Sequence, residues 1–456
     1  MKSYELKPTY ENLLRTFQDD TIGRNADIFR FIDILNAMEE GSSIALDGNW
    51  GSGKTFFVKQ VKMVLDAHNL FIPAEKEERG VFVEARNRFY KNNAPELQPL
   101  VCVYYDAWEN DNDDDPVLSL VYTILNDVDT DFKLKNIDAI KAGASVMEFF
   151  SGRNWTQMIE SLRGESPLDA LKGRKGVEGL IGEFLESLLP EKGNRLVVFV
   201  DELDRCKPSY AVKLLERVKH YFCHENITFV FSVNTNELQH VIRKHYGNSF
   251  DGSRYLDRFF DLRVALPPPD LSEYYRSREF NDRRYVFDIT CNTVIRAYHF
   301  ELREIAKYLR LVRMAAHKPT HSGQSGYFSP DRAVLFCLYY VLPIVIGLRV
   351  HDAKRYTDFV EGRDYSPLYE IAKKTELLDF RELLNCNETY DSGKQDKTQV
   401  TLEEKMKEVY NAIFNTTYNG INYHTKIGAL EFNDETKPTL MRATGLLSHF
   451  TTLDID

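Results

Sequence analysis

GNWGSGKT, residues 48–55, fits the pattern G-x-x-x-x-G-K-[ST]. Its glycines let the backbone wind tightly, so that successive N–H groups face an anion at the N-terminus of a following helix. In such a loop Lys54 neutralises the β and γ phosphates of a nucleotide and Thr55 puts its hydroxyl on Mg²⁺. The flanks agree. SSIALDG, just upstream, is a short apolar run that stops at the glycine-rich turn, and residues 54–66, KTFFVKQVKMVLD, return to helical spacing through Phe57, Val61, Val64 and Leu65. Strand, loop and helix come in the required order. The expected nucleotide-binding residues are Gly48, Asn49, Trp50, Gly51, Ser52, Gly53, Lys54, Thr55 and Phe56.

Outward from the loop, residues 26–38 are spaced as a helix, and further apolar runs occupy 100–105, 195–200, 227–233 and, more weakly, 262–266, the last closed by Pro267, Pro268 and Pro269. Runs of this kind with helical patterns between them predict a three-layer α/β core with a mainly parallel sheet over residues 1–270. Stretches 67–99 and 116–194 are too long for loops and read as helical insertions. Beyond 270 the pattern is helix after helix, predicting an α-helical C-terminal domain over 271–456. Residues 333–348, AVLFCLYYVLPIVIGL, are apolar throughout, yet short and interrupted by Pro343, so a buried core helix is expected and no membrane span.

Composition sets the outer limits. The chain has 456 residues, 43% apolar and 28% charged, enough for two or three domains and too apolar for global disorder. Lys plus Arg number 58 against 69 Asp plus Glu, a formal net charge of −11, which disfavours a whole surface built for nucleic acid and leaves a local basic face open. Cys102, Cys206, Cys223, Cys291, Cys337 and Cys386 are scattered without a Cys-x-x-Cys pair and read as reduced thiols. With acids and no apolar stretch at the N-terminus, a cytoplasmic location is expected.

LVVFVDELD, residues 196–204, delivers acids at the end of an apolar strand, where an α/β fold of this type handles metal and water. Asp201 is expected to hold Mg²⁺ together with Thr55, and Glu202 to orient or deprotonate the attacking water. The run at 100–105 lies between the two motifs in the chain, as in the subclass with an extra strand between them. In ITFVFSVNTNEL, Asn234 either holds the water near the γ phosphate or merely caps the next helix. Arg254 and Arg258 in GSRYLDRFFDLRVALPPP either serve a neighbouring subunit's nucleotide or pair with Asp257 or Asp261. Arg303 either reaches the phosphates from the helical domain or is solvated. Trp108 reads as a core anchor, and Asp106 as a possible helper of Mg²⁺ or water.

GNWGSGKTFF, VYYDAWEND, VVFVDELDRCKP and YLDRFFDLRVALPPP, in that order, resemble the KAP P-loop NTPases, relatives of the STAND and AAA+ ATPases. Asp106 stands where that family commonly has Asn, and Glu202 where Asp is common. The resemblance implies an ATP- and Mg²⁺-dependent hydrolase, a homo-oligomer that acts as a switch or motor, with a protein partner on its helical domain and a place in bacterial antiviral defence. Two alternatives stay open: a nucleotide-stabilised scaffold with little hydrolysis, and a nucleic-acid-associated translocase. Absence of an Asn-Lys-x-Asp block argues against GTP.

Overall fold

The computed structural model describes residues 7–38, 40–72, 76–113, 115–132, 144–146, 182–184, 189, 193–222, 224–278, 280, 285–321, 332–375, 401–415 and 424–447. The apolar runs form one parallel sheet. Its strands are β1 (Ser42–Asp47), β2 (Leu100–Asp106), β3 (Arg195–Asp201), β4 (Ile227–Val233) and β5 (Leu262–Ala265), in the order β2-β3-β4-β1-β5. The strand that separates β1 from β3 in space is therefore β4. β2, which intervenes in the chain, lies at the edge.

Alternation along each strand builds the layers. Leu196, Val198 and Val200 join a buried cluster with residues of the helices Pro116–Phe132 and Pro208–Tyr221, whereas Val197 and Phe199 join a second cluster with Asn25–Ala37 and Lys54–His68. Burial on both faces is why β3 reads as a continuous apolar run rather than an alternating one. The 67–99 stretch contains the helix Lys76–Phe89, and the 116–194 stretch begins with Pro116–Phe132; most of 133–192 lies outside the described residues.

The chain divides into two compact units, Lys7–Glu273, which holds the sheet, and a mainly helical one within Tyr274–Asp456. In the second unit Arg332–Phe336 runs through a π-helical turn, Cys337–Val341, into Leu342–His351. That local widening lets the helix continue past Pro343, which has no N–H to donate. A Cβ on Gly347 would stand 2.5 Å from Val294 Cγ1, so only glycine admits Val286–Ala297 this closely. Tyr308 packs alongside, fully buried, and donates to the Pro343 carbonyl at 3.2 Å. Arg332–His351 is long and apolar enough to cross a membrane, but 67% of its most apolar window is buried inside the protein.

One element departs from the all-helical expectation. His424–Ile427 and Leu430–Asn433 form an antiparallel hairpin around a turn where Gly428 has φ 57°. Strands of four residues give a period-2 signal too brief to stand out in a helical stretch. Of the cysteines, Cys102, Cys206, Cys291 and Cys337 are buried; Cys223 and Cys386 lie outside the described residues.

Candidate nucleotide site

Parallel registry brings the chemistry to one edge. Asp106 pairs with Asp201, Asp201 with Ser232, and Asp47 with Val233, so the loop after β1, the acids after β3 and Asn234 after β4 all leave the C-terminal edge of the sheet. Ligands bind at this edge in open α/β sheets.

The loop is wound by Gly51 and Gly53, both left-handed at φ 85° and 92°, and Lys54 starts the following helix, Lys54–His68. Lys54 is 8% exposed, and its Nζ donates to the Gly48 carbonyl at 2.7 Å and the Asn49 carbonyl at 3.2 Å. The ammonium thus folds back over the loop. Burial lowers its pKa, opposed by the charges of Asp204, Asp201, Glu202 and Asp47. Ser52 Oγ is buried without a hydrogen bond, and a Cβ on Gly48 would lie 2.9 Å from it. An orphaned hydroxyl and a folded-back cation in a glycine cradle fit a polyphosphate. Thr55, half-buried, offers a hydroxyl, while the Phe56 side chain is buried and offers the phosphates only its backbone.

Asp201 is 1% exposed; its Oδ1 accepts from the Glu202 N–H at 3.0 Å and its Oδ2 from the Tyr104 hydroxyl at 2.9 Å. Tyr104 stays a donor because burial and the Asp201 charge push its pKa up, and the Lys59 ammonium sits 4.2 Å from its ring centroid. A fixed carboxylate and the Thr55 hydroxyl are the hard oxygen donors Mg²⁺ takes. Glu202 has φ 60°, a left-handed conformation that costs a non-glycine residue about 1 kcal/mol. Burial, then the Asp201 charge, push its carboxyl up to about 7 against the pull of Arg205. A pKa near neutrality suits a general base.

Asn234 does cap a helix: its Oδ1 accepts from the Asn236 and Glu237 amides at 3.1 and 3.3 Å. Its amide nitrogen is not used in that cap. Asp106 Oδ1 is likewise occupied locally, by the Trp108 and Glu109 amides at 3.1 Å each. Trp108 is no core anchor, being 53% exposed. The short local amide bonds of Asp106 turn the chain outward and carry the indole with it.

Arg254 and Arg258 are exposed, and neither pairs with the acids next to them. Asp257 binds Arg263 at 2.5 Å and Asp261 accepts from the Ser43 amide at 2.8 Å. Among the described residues neither arginine side chain has an ion pair. Because Ile44 pairs with Leu262, Arg258 lies at the edge where the strands begin, opposite the loop. Roughly five strand residues at about 3.3 Å each keep it from the nucleotide of its own chain. Arg303 belongs to Leu302–His321 in the other unit.

Residues of the site that the sequence did not reveal include Arg24, 4% exposed, which donates to the Ser52 carbonyl at 2.8 Å and the Pro267 carbonyl at 2.7 Å, tying the loop to the chain after β5. Others are Tyr104, Asp204 and Arg205. The Trp50 indole donates to Asp204 Oδ2 at 2.5 Å, and Arg205 lies between Trp50 and Trp108. No local pattern announces a buried arginine clamp. In the DELDR block only the first two acids were given a chemical role; the remainder carried the family resemblance.

A five-stranded parallel sheet with a phosphate loop after β1, a buried aspartate ending β3 and β4 between them is a P-loop NTPase fold. The KAP family P-loop domain matches residues 24–277, more than half of the chain, and the chain belongs to that family. No curated protein matches it. Among solved structures, the Aeropyrum pernix ORC2 protein in ADPNP-ADP complexes is similar at 13% identity, with 86% of this chain and 93% of that one covered and a TM-score of 0.28. The A. pernix ORC1 protein in complex with DNA gives 13%, 93%, 92% and 0.31, and Drosophila ORC bound to DNA gives 11%, 97%, 100% and 0.24. Likeness this distant carries nothing about function.

Proposed function

We propose that this chain binds ATP with Mg²⁺ and hydrolyses it as an oligomeric switch, the helical unit passing the nucleotide state to a protein partner. The observation that carries this reading is the placement of buried Lys54, buried Asp201 and Glu202 on one sheet edge, close enough for the three acids Asp204, Asp201 and Glu202 to act on the Lys54 charge. Loop amides and Lys54 would cradle the phosphates. Thr55 and Asp201 would hold Mg²⁺, which supplies charge neutralisation at the phosphate oxygens. Glu202 takes the proton of the attacking water, and the free amide nitrogen of Asn234 orients water or γ phosphate. Arg258 would act on a neighbouring chain's nucleotide, since its own is at the far edge, and Arg303 would act from the helical unit. The unpaired state of Arg258 supports its role over the surface ion pair.

Lys54→Ala is expected to abolish ATP binding by calorimetry. Glu202→Gln keeps binding and loses about 10²–10⁴-fold in phosphate release. Undiminished binding by the first variant ends the reading; wild-type binding without turnover moves it to the scaffold. The antiviral role rests on the family resemblance and is read by plaque counts: deletion of the gene that leaves a broad phage panel unaffected removes it.

A further inference from the structure

We infer that Arg205 is a positioning residue for hydrolysis: gripped between the Trp50 and Trp108 indoles, it holds one oxygen of Glu202 and leaves the other to meet the attacking water. The inference rests on the hydrolytic reading of the site.

Glu202 precedes the 3₁₀ turn Leu203–Arg205 and Arg205 ends it; Arg205 Nε lies 2.5 Å from Glu202 Oε2, the side chains of Arg205 and Glu202 being 24% and 20% exposed. Among the described residues nothing donates to Oε1. An exposed pair at this spacing is worth little, about 0–1 kcal/mol. Three observations lift this one out of that class. The guanidinium carbon is 5.8 Å from the Trp50 ring centroid and 5.7 Å from that of Trp108, so the cation is within cation–π reach of two indoles. Trp50 and Trp108 are 45% and 53% exposed, and the arginine between them gives two large indoles at a wet surface a partner. Glu202, 20% exposed, is partly shielded from water, so its pair with Arg205 is screened less than one at a fully exposed surface.

The grip also reaches the phosphate loop. Trp50 sits inside that loop, and its indole N–H is bonded to Asp204, the residue before Arg205. Trp108 follows β2. Three separate chain segments therefore converge on one guanidinium beside the acid expected to take the proton. Lysine would not replace it, having neither a planar face to stack nor an Nε to aim.

The test uses the full chain in a Trp155→Phe background, so that Trp50 and Trp108 are the emitting tryptophans. Arg205→Ala should lose about 10²-fold in kcat while ATP affinity by calorimetry moves less than about 3-fold, the signature of an interaction used in the chemical step. Arg205→Lys should remain at least about 10-fold down. If Arg205→Ala does not fold, Arg205→Lys and Trp108→Ala carry the test, the latter removing an exposed ring and costing about 5-fold in kcat at constant ATP affinity. Turnover at or above wild type, or turnover and affinity falling in step, overturns the assignment. A second readout needs no hydrolysis. In nucleotide-free protein Glu202→Gln and Arg205→Ala should each shift tryptophan emission, and the double variant no further than Arg205→Ala alone. Additive shifts overturn the assignment, whereas a wild type that binds ATP without turning it over retires the hydrolytic reading and leaves the emission cycle to decide Arg205.

Discussion

β3 and β5 run parallel in the same sheet and could hardly be treated more differently. β3 is buried along all seven residues, has neighbours on both sides and ends in the acids of the site. β5 has four residues, sits at an edge and is largely exposed, with Leu262 at 36%. The interior strand must satisfy every polar atom it delivers from within, and it does so through Tyr104 and the Glu202 amide. At the edge strand Arg258 can remain unpaired and face another molecule. One end of the sheet is preorganised and the other is left open.

Arg258→Ala gives the sharpest break of that comparison. With the arginine acting between chains, turnover should fall by about 10³-fold or more, while the melting temperature stays put because the side chain has no described partner to lose. Mixing Arg258→Ala with Glu202→Gln protein should then restore phosphate release, since each supplies what the other lacks at a shared interface. A mixture that stays inactive, or a single variant within about 3-fold of wild type, would place the arginine outside the reaction. Next in size is the strand core itself. Phe199→Ala, at a position with no exposure, should cost about 3–5 kcal/mol in denaturant unfolding, and Leu262→Ala less than about 1 kcal/mol. Equal costs would mean that β5 is covered in solution by something the single chain does not contain.

The same contrast explains what could be read in the sequence. β1, β3 and β4 stand out because burial on both faces demands unbroken apolar runs, and β5 is faint because an edge strand does not. Strand order is another matter. Runs 100–105 and 227–233 look alike, and only pairing across the sheet makes β4, not β2, the strand between the two motifs. The glycine loop and the strand-end position of Asp201 were legible because both belong to local patterns of fixed spacing. Arg24, Tyr104 and the Trp50–Arg205–Trp108 cluster were not, because each joins segments far apart in the chain. Trp108 misled for a related reason: an indole reads as core until the guanidinium that partners it outside is found.

Arg24 also bears on when the site comes into being. Its partners are the carbonyl of Ser52, 28 residues away, and that of Pro267, 243 residues away. A nascent chain therefore carries the whole glycine loop long before it carries the acceptor that completes the loop's anchor. A contact of such sequence separation has to meet the loop-closure entropy of the chain between its ends. The loop's anchor is therefore complete only once the chain after β5 is in place, which ties the cradle to the finished sheet rather than to its own segment.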